Sequence, residues 1–296
     1  MPGELAVSEM IMDCNWMQVL EGSIDSSHVA ILHLDTLATM GSGPRSVGSF
    51  EFAGEPWDLD MQVPGGGAGW PSDDNAPRIE VENTPFGFHY AAIRDVSGDP
   101  SKKFVRITAF AMPYTAFIGG SSGAVIVVPR DDCTCSSIGV FKLPPGSGAG
   151  VGGVGAVAGQ RARRGVDPAV WGPEPANRRL RLPPQDRQAM AEGKSFAGFR
   201  GGNRVQDAAV QMSSGKIYDR AKEHLVPADL AIIRLRRLLA DSVRLVEAGQ
   251  DPLGLGEGRD FTQIGAASKV IDAGQPWQDL GPAHQGVREP AARSGS

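Results

Sequence analysis

The chain is poor in cysteine, in histidine and in aromatic residues, and it has no long apolar run. Three cysteines, Cys14, Cys133 and Cys135, in 296 residues build no disulfide framework and point to a reducing, cytoplasmic setting. Cys133-x-Cys135 lacks the spacing of a structural zinc site. No eighteen consecutive residues are apolar, so no membrane span is expected. Residues 1–7 carry no basic start followed by an apolar run, so no secretory leader is expected either. Neither sign of charge dominates: 29 Lys and Arg face 34 Asp and Glu, for a net charge of −5. With no basic stripe interleaved with aromatics, nucleic acid is excluded as the main partner.

What is present is an ordinary globular composition, 41% hydrophobic and 21% charged, long enough to bury a sizeable core. The scarce histidines are not scattered evenly. Two of the five, His28 and His33, fall in one stretch, residues 14–33, together with Asn15, Glu21 and Asp25. Asp25 precedes His28 by three positions, so the two share a face on a helix. His28 and His33 are five apart, about 140° around a helix, and can meet one metal only if the helix breaks or bulges between them. Two neutral imidazoles suit iron, zinc, copper or nickel. A carboxylate added to them makes the facial triad of non-haem Fe(II) oxygenases.

The full pattern is Asn15-Trp16-x-Gln18-x-Leu20-Glu21-Gly22-x-Ile24-Asp25-x-Ser27-His28-x4-His33. It resembles the iron-binding segment of Rieske non-haem iron oxygenases, in the branch of phthalate dioxygenase, phenoxybenzoate dioxygenase and dehydrodivanillate O-demethylase. The resemblance implies that His28 and His33 are iron ligands and that Asp25 is the bridging carboxylate through which an electron arrives from a neighbouring subunit. It also implies that Asn15 lies near the iron without being a firm ligand. Further on, Gln206-Asp207-x-Ala-Val lies in a segment similar to the one that supplies the third ligand, which makes Asp207 the carboxylate. Many relatives carry Glu after the Gln that is Gln211 here, whereas this chain has Met212. A Rieske cluster needs two cysteines and two histidines, carried in this family as Cys-x-His and Cys-x-x-His pairs. Neither pair occurs, so the chain is expected to be a catalytic domain alone, the resemblance covering residues 9–131 and 186–250.

Along the chain, Met10, Cys14, Met17 and Leu20 recur at helical steps, so the pattern predicts a helix over residues 4–24. From Gly41 to Pro77 loop residues dominate, with a short ordered piece within 51–61 around Phe52, Trp57 and Leu59. Residues 78–82, 88–96, 104–111 and 124–128 read as strands joined by short turns, hence an antiparallel sheet. His89, inside the second of these, reads as structural or pocket-lining. Residues 132–185 are irregular: eight of the twenty residues from Gly146 to Gly165 are glycine, and overlapping GxGxxG matches mark low complexity rather than a dinucleotide site. The segment reads either as a flexible loop with a solvated basic edge or as the product of compensating frameshifts in GC-rich DNA, which resequencing tests. Asp219, Arg220, Glu223 and His224 read as structural ion pairs. Leu235, Leu238, Leu239, Val243 and Val246 make one apolar helix stripe, opposite Arg234, Arg237, Asp241 and Arg244. Residues 273–296 read as a poorly ordered tail.

The expectation is an α+β fold: a catalytic domain over residues 1–272, which the resemblance specifies as a helix-grip (START-like) domain with an antiparallel sheet and a long C-terminal helix. By the resemblance, it hydroxylates or O-demethylates an aromatic, carboxylated substrate with O2 at a mononuclear Fe(II). Electrons come from an external Rieske [2Fe-2S] centre, a Rieske ferredoxin and an NAD(P)H-dependent reductase, and the assembly is a homotrimer. Arg94, Arg106 and Arg204 are the candidate cations for an acidic substrate, each weighed against a solvated surface charge. The alternatives are a non-catalytic helix-grip ligand-binding module and an inactive truncated fragment.

Overall fold

The computed structural model describes residues 5–33, 49–52, 55–58, 72, 74–119, 123–142, 182, 184–199, 203–255 and 264–280. The ten strands among them are β1 (Leu5–Met12), β2 (Ser49–Phe52), β3 (Glu55–Asp58), β4 (Arg78–Thr84), β5 (Gly87–Val96), β6 (Asp99–Ala111), β7 (Thr115–Phe117), β8 (Gly123–Asp131), β9 (Thr134–Lys142) and β10 (Ala267–Asp272). The α-helices are α1 (Trp16–Ile24), α2 (Val29–Leu32), α3 (Arg187–Ala191), α4 (Asn203–Ser213) and α5 (Leu230–Glu247). Eight strands form one antiparallel sheet in the order β1-β9-β8-β7-β6-β5-β4, with β10 alongside β6. β2 and β3 pair separately, which supplies the short ordered piece expected within 51–61. Leu59 lies outside the described residues.

The helix expected over residues 4–24 begins only at Trp16. Leu5–Met12 is instead an edge strand, paired in register with β9 from Leu5↔Lys142 to Met12↔Cys135. Met10, Met12 and Cys14 are all buried, a period of two that sits inside the same letters as the three-and-four spacing. The Asn15 side chain stops the strand and starts the helix: its Oδ1 accepts from the Met17 N–H at 3.0 Å, an N-cap.

β4 to β6 form the centre of the sheet. The turn between β4 and β5 needs Gly87, because a Cβ there would lie 2.2 Å from the Phe110 carbonyl oxygen. β5 is buried on both faces from Gly87 to Arg94. On one face Phe88, Tyr90 and Ala92 join Val19, Leu20 and Ile24 of α1, Ala208 of α4, and Leu235 and Leu238 of α5. On the other, Ala91, Ile93, Val105 and Ile107 meet Ile271, Trp277 and Leu280. His89 points to this second face, 5.1 Å from the Trp277 ring with Nε2 2.9 Å from Glu82 Oε2, so it reads as structural and is on the face of the sheet away from α1.

Three further expectations are corrected. β9 carries regular structure through Thr134–Lys142, within the stretch read as irregular from 132; residues 143–181 lie outside the described residues. The tail read as poorly ordered from Ala273 continues into a 3-10 turn at Trp277–Leu280, because Trp277 has an apolar seat and its Nε1 donates to Glu80 Oε2 at 2.7 Å; 281–296 are outside the described residues. On α5, Leu235 and Leu238 are buried, but Val243 and Val246 are 57% and 58% exposed, because the buried face continues through Ser242, about 100° around the helix from Val243.

The α+β reading stands: an antiparallel sheet holds a long late helix, α5, against α1 and β4. Glu21 of α1, buried, receives Arg220 Nη1 at 2.6 Å and Arg236 Nε at 2.7 Å. Arg236 also forks onto Glu223 at 2.5 and 2.6 Å. Arg220 and Glu223 are therefore the structural pairs expected, and Asp219 caps its own turn through the Ala221 N–H. His224 is exposed.

Candidate metal centre

The site is assembled from two helix ends and one helix face. α1 stops at Asp25, whose backbone turns extended (φ −68°, ψ 124°) while its N–H still donates to Glu21 O at 2.8 Å. Asp25 then organises the next turn: Oδ1 accepts from the Ser27 N–H at 2.7 Å and Oδ2 from the His28 N–H at 3.3 Å. His28 opens the single-turn helix α2 and His33 closes it, leaving helical geometry at φ −98°, ψ 23°. This is the interruption that the five-residue spacing requires: the two rings come together edge to face, with centroids 5.2 Å apart.

Asp207 reaches them from α4. Its Oδ1 lies 3.3 Å from His28 Nε2 and 3.0 Å from His33 Nε2. One ligand atom from each of His28, His33 and Asp207 falls within 4.8 Å of the other two. Behind each imidazole is an acceptor for its other nitrogen. Asp25 Oδ2 is 2.9 Å from His28 Nδ1, and Gln206 Oε1 is 2.7 Å from His33 Nδ1. Both Nε2 atoms face the Asp207 carboxylate at one point, and a metal ion there would displace any Nε2 proton, the arrangement that a metal-binding histidine pair needs. Two imidazoles and one carboxylate fit a divalent transition ion with open positions.

Electrostatics favour positive charge at that point. Burial opposes charging His28, but its hydrogen bonds to Asp207 and Asp25 outweigh this and hold its pKa up to about 9. Burial also pushes the Asp207 carboxyl up, yet the His33 charge and the bonds from both histidines pull it well below the usual range. Asp25 is likewise held low by His28 against its own burial. His33 is 3% exposed, whereas the side chains of His28 and Asp207 are 23% and 29% exposed, so the centre opens toward solvent on the His28 side.

The loop that carries Asp25 is fastened from below by the sheet. Tyr90 Oη donates to Ile24 O, Arg94 Nη2 donates to Ser26 O at 2.6 Å, and Arg106 Nη1 lies 3.4 Å from Ser26 Oγ. Arg94 also donates to Asp74 O, and Arg106 donates twice to Gly119 O. Arg94 and Arg106 are 0% and 8% exposed, so the reading of either as a solvated charge is corrected. Both hold main chain. Arg204 lies one turn before Asp207 on α4. Burial lowers its pKa to about 10, partly offset by the Asp207 charge, and its Nη2 is 3.5 Å from Ser137 O.

The structure thus brings His28, His33, Asp207 and Asp25 together and leaves Asn15 out. Asn15 is at the opposite end of α1, about 15 Å away along the axis at the usual rise per residue. There it caps the helix and donates from Nδ2 to Asp132 O at 2.9 Å. Gln206 is the contact that sequence reasoning missed. It stands in the motif that carries Asp207, and its place beside that residue was the only signal.

The chain matches the family model described as "LigXa C-terminal domain like" over residues 3–142 and 171–293, and it belongs to that family. The match extends past all four limits of the resemblance drawn from sequence, 9–131 and 186–250, and leaves out 143–170. Two curated relatives are oxygenase subunits. One is the phthalate 4,5-dioxygenase oxygenase subunit of Pseudomonas putida, 30% identical over 93% of this chain and 59% of the relative. The other is the 3-chlorobenzoate-3,4-dioxygenase oxygenase subunit of Comamonas testosteroni, 29% identical over 83% of this chain and 55% of the relative. The chain therefore spans little more than half the length of either. NdmB of Pseudomonas putida CBB5 overlays with a TM-score of 0.39 at 15% identity, over 83% of this chain and 52% of that one. Among the described residues no helix is long and apolar enough to cross a membrane.

Proposed function

We propose that this chain is the catalytic portion of a Rieske-type aromatic-ring-hydroxylating oxygenase and that His28, His33 and Asp207 hold its mononuclear Fe(II). The observation that carries the reading is the convergence of the three ligand atoms within 4.8 Å, each imidazole already committed at Nδ1. Fe(II) in such a site supplies O2 activation, with positions left over for O2 beside the substrate.

The chain's own residues do the rest. Asp25 accepts a hydrogen bond from His28 Nδ1 and so turns that ring's Nε2 toward Asp207. Asp25 is also the residue through which, by the resemblance, an electron arrives from an external Rieske [2Fe-2S] centre supplied by a ferredoxin and an NAD(P)H-dependent reductase, across the boundary of a homotrimer. The sheet residues Tyr90, Arg94 and Arg106 keep the Asp25 loop in place. Both curated relatives are named for aromatic carboxylates, and an aromatic acid is the substrate class proposed here, hydroxylated on the ring or O-demethylated. Of the three candidate cations, Arg204 is the one beside the triad on α4. All three contact main-chain carbonyls, Arg204 that of Ser137, so its claim rests on its place beside the triad alone.

The test is metal content after anaerobic reconstitution with Fe(II). Roughly one ion per chain is expected in the wild type, and loss of it in His28→Ala and in Asp207→Ala. A folded wild type that takes up no specific iron would overturn the reading and leave a ligand-binding module.

A further inference from the structure

Gln206 is not itself a ligand of the proposed ion, yet among the described residues its contact to His33 is the shortest to any side chain of the triad. It is 3% exposed, as is His33, and its Oε1 sits 2.7 Å from His33 Nδ1. Asp207, the next residue, sits 3.0 Å from Nε2 of the same ring. Consecutive positions on a helix diverge by about 100°, and α4 uses that divergence to hold both nitrogens of one imidazole. A neutral imidazole has one N–H and one lone pair. If Nε2 is to present a lone pair, Nδ1 must carry the proton, and its partner must be an acceptor. The amide oxygen of Gln206 meets that need.

We infer that Gln206 is a positioning residue that fixes His33 in the Nδ1–H tautomer and orients its Nε2 toward the metal; this rests on the metal-site reading above. The choice of an amide has its own logic. The other histidine is backed by a carboxylate, Asp25. With Asp25 and Asp207 ionised, a divalent cation makes the cluster neutral. A second carboxylate behind His33 would leave it with a net negative charge and make that imidazole a stronger donor. Gln206 orients without adding charge, so the two imidazoles differ: His28 is the more electron-rich ligand and His33 the less.

The experiment uses the full chain with Co(II) and Zn(II) as probes, so no turnover is needed. Gln206→Leu is expected to weaken Co(II) binding by about 10- to 100-fold. In the Zn(II)-loaded, 15N-histidine-labelled wild type, the His33 Nδ1–H resonance should be visible and protected from solvent exchange, and Gln206→Leu should lose that protection. Gln206→Glu keeps an acceptor in place and should restore both, with affinity at or above wild type. Co(II) affinity in Gln206→Leu within about twofold of wild type, or failure of Gln206→Glu to restore it, overturns the inference. If Gln206→Leu does not fold, the wild-type spectrum decides alone: a His33 bound to Zn(II) through Nδ1, with its proton on Nε2, also overturns it. His28→Ala is the control. If it keeps wild-type affinity, the metal-site reading itself has failed. If it loses affinity while Gln206→Leu does not, only the role of Gln206 is refuted.

Discussion

Replacing Arg94 with methionine removes the main fastening of the Asp25 loop. The guanidinium is fully buried and donates to Ser26 O at 2.6 Å and Asp74 O at 3.1 Å. Hydrogen bonds to a charged donor contribute about 1.5–3 kcal/mol each, and the two carbonyls would lose that partner. Against this, methionine relieves the burial of a cation next to Arg106, a strain visible in the Arg94 pKa, which burial and then Arg106 lower to about 10. Removing one partner of a buried charged contact is nevertheless destabilising in general. The balance is a loss of about 2–4 kcal/mol, which for a domain of this size lowers Tm by roughly 4–16 °C. Urea unfolding of the metal-free protein reads it as a lower midpoint at unchanged slope. Arg94→Lys should not recover the loss, because a single ammonium on a flexible stem does not reproduce a planar fork spanning two carbonyls. A midpoint shift worth less than about 0.5 kcal/mol in Arg94→Met would refute the fastening argument.

Two further outcomes follow from the same contacts. Asn15→Ala should cost about 1–2 kcal/mol through loss of the α1 cap, while Co(II) affinity stays at the wild-type value; a metal-binding defect without a stability defect would restore Asn15 to the site. The Glu223 carboxyl is held below its usual range, first by its hydrogen bonds to Arg236, against its own burial. A depressed folded value means that its contribution is present above the unfolded value near 4.5 and is lost as pH falls through the folded one. Urea midpoints measured from pH 7 down to pH 3 should therefore fall more steeply for the wild type than for Glu223→Gln, and parallel curves would contradict the ion-pair account.

Part of this architecture was legible in the sequence because its signals are local. His28, His33 and Asp25 lie within nine positions, and the strands from 78 to 128 are short apolar-rich runs bounded by turn residues. The third ligand was found only through its similarity to a family segment, since an aspartate on an amphipathic helix has no local mark of metal binding. Arg94 and Arg106 show the opposite limit. A charged side chain in a strand reads as solvated, and what these two meet at residue 26, the Ser26 carbonyl for Arg94 and the Ser26 hydroxyl for Arg106, lies 68 and 80 positions away. Gln206 was in view but silent, because an amide becomes meaningful only once a ring nitrogen faces its oxygen. β1 was misread because Met10 and Cys14 satisfy two periods at once, and Asn15, read as a residue near the iron, was the cap that would have separated strand from helix. Trp277 stands alone among Gly, Pro and Gln, so no pattern announced that it had a seat on the far face of the sheet.

His33 and Asp207 are 174 positions apart (207 − 33). An ion shared between them is a cross-link between the opening of the chain and a helix near its end. Such a tie gains little from being made shorter, since closure entropy rises only slowly with loop length. What the proposed ion would change is the partial opening of the fold: α4 could not lift from the α2 turn that His28 and His33 bracket without giving up a ligand, so departure of the ion and detachment of that helix would be a single event.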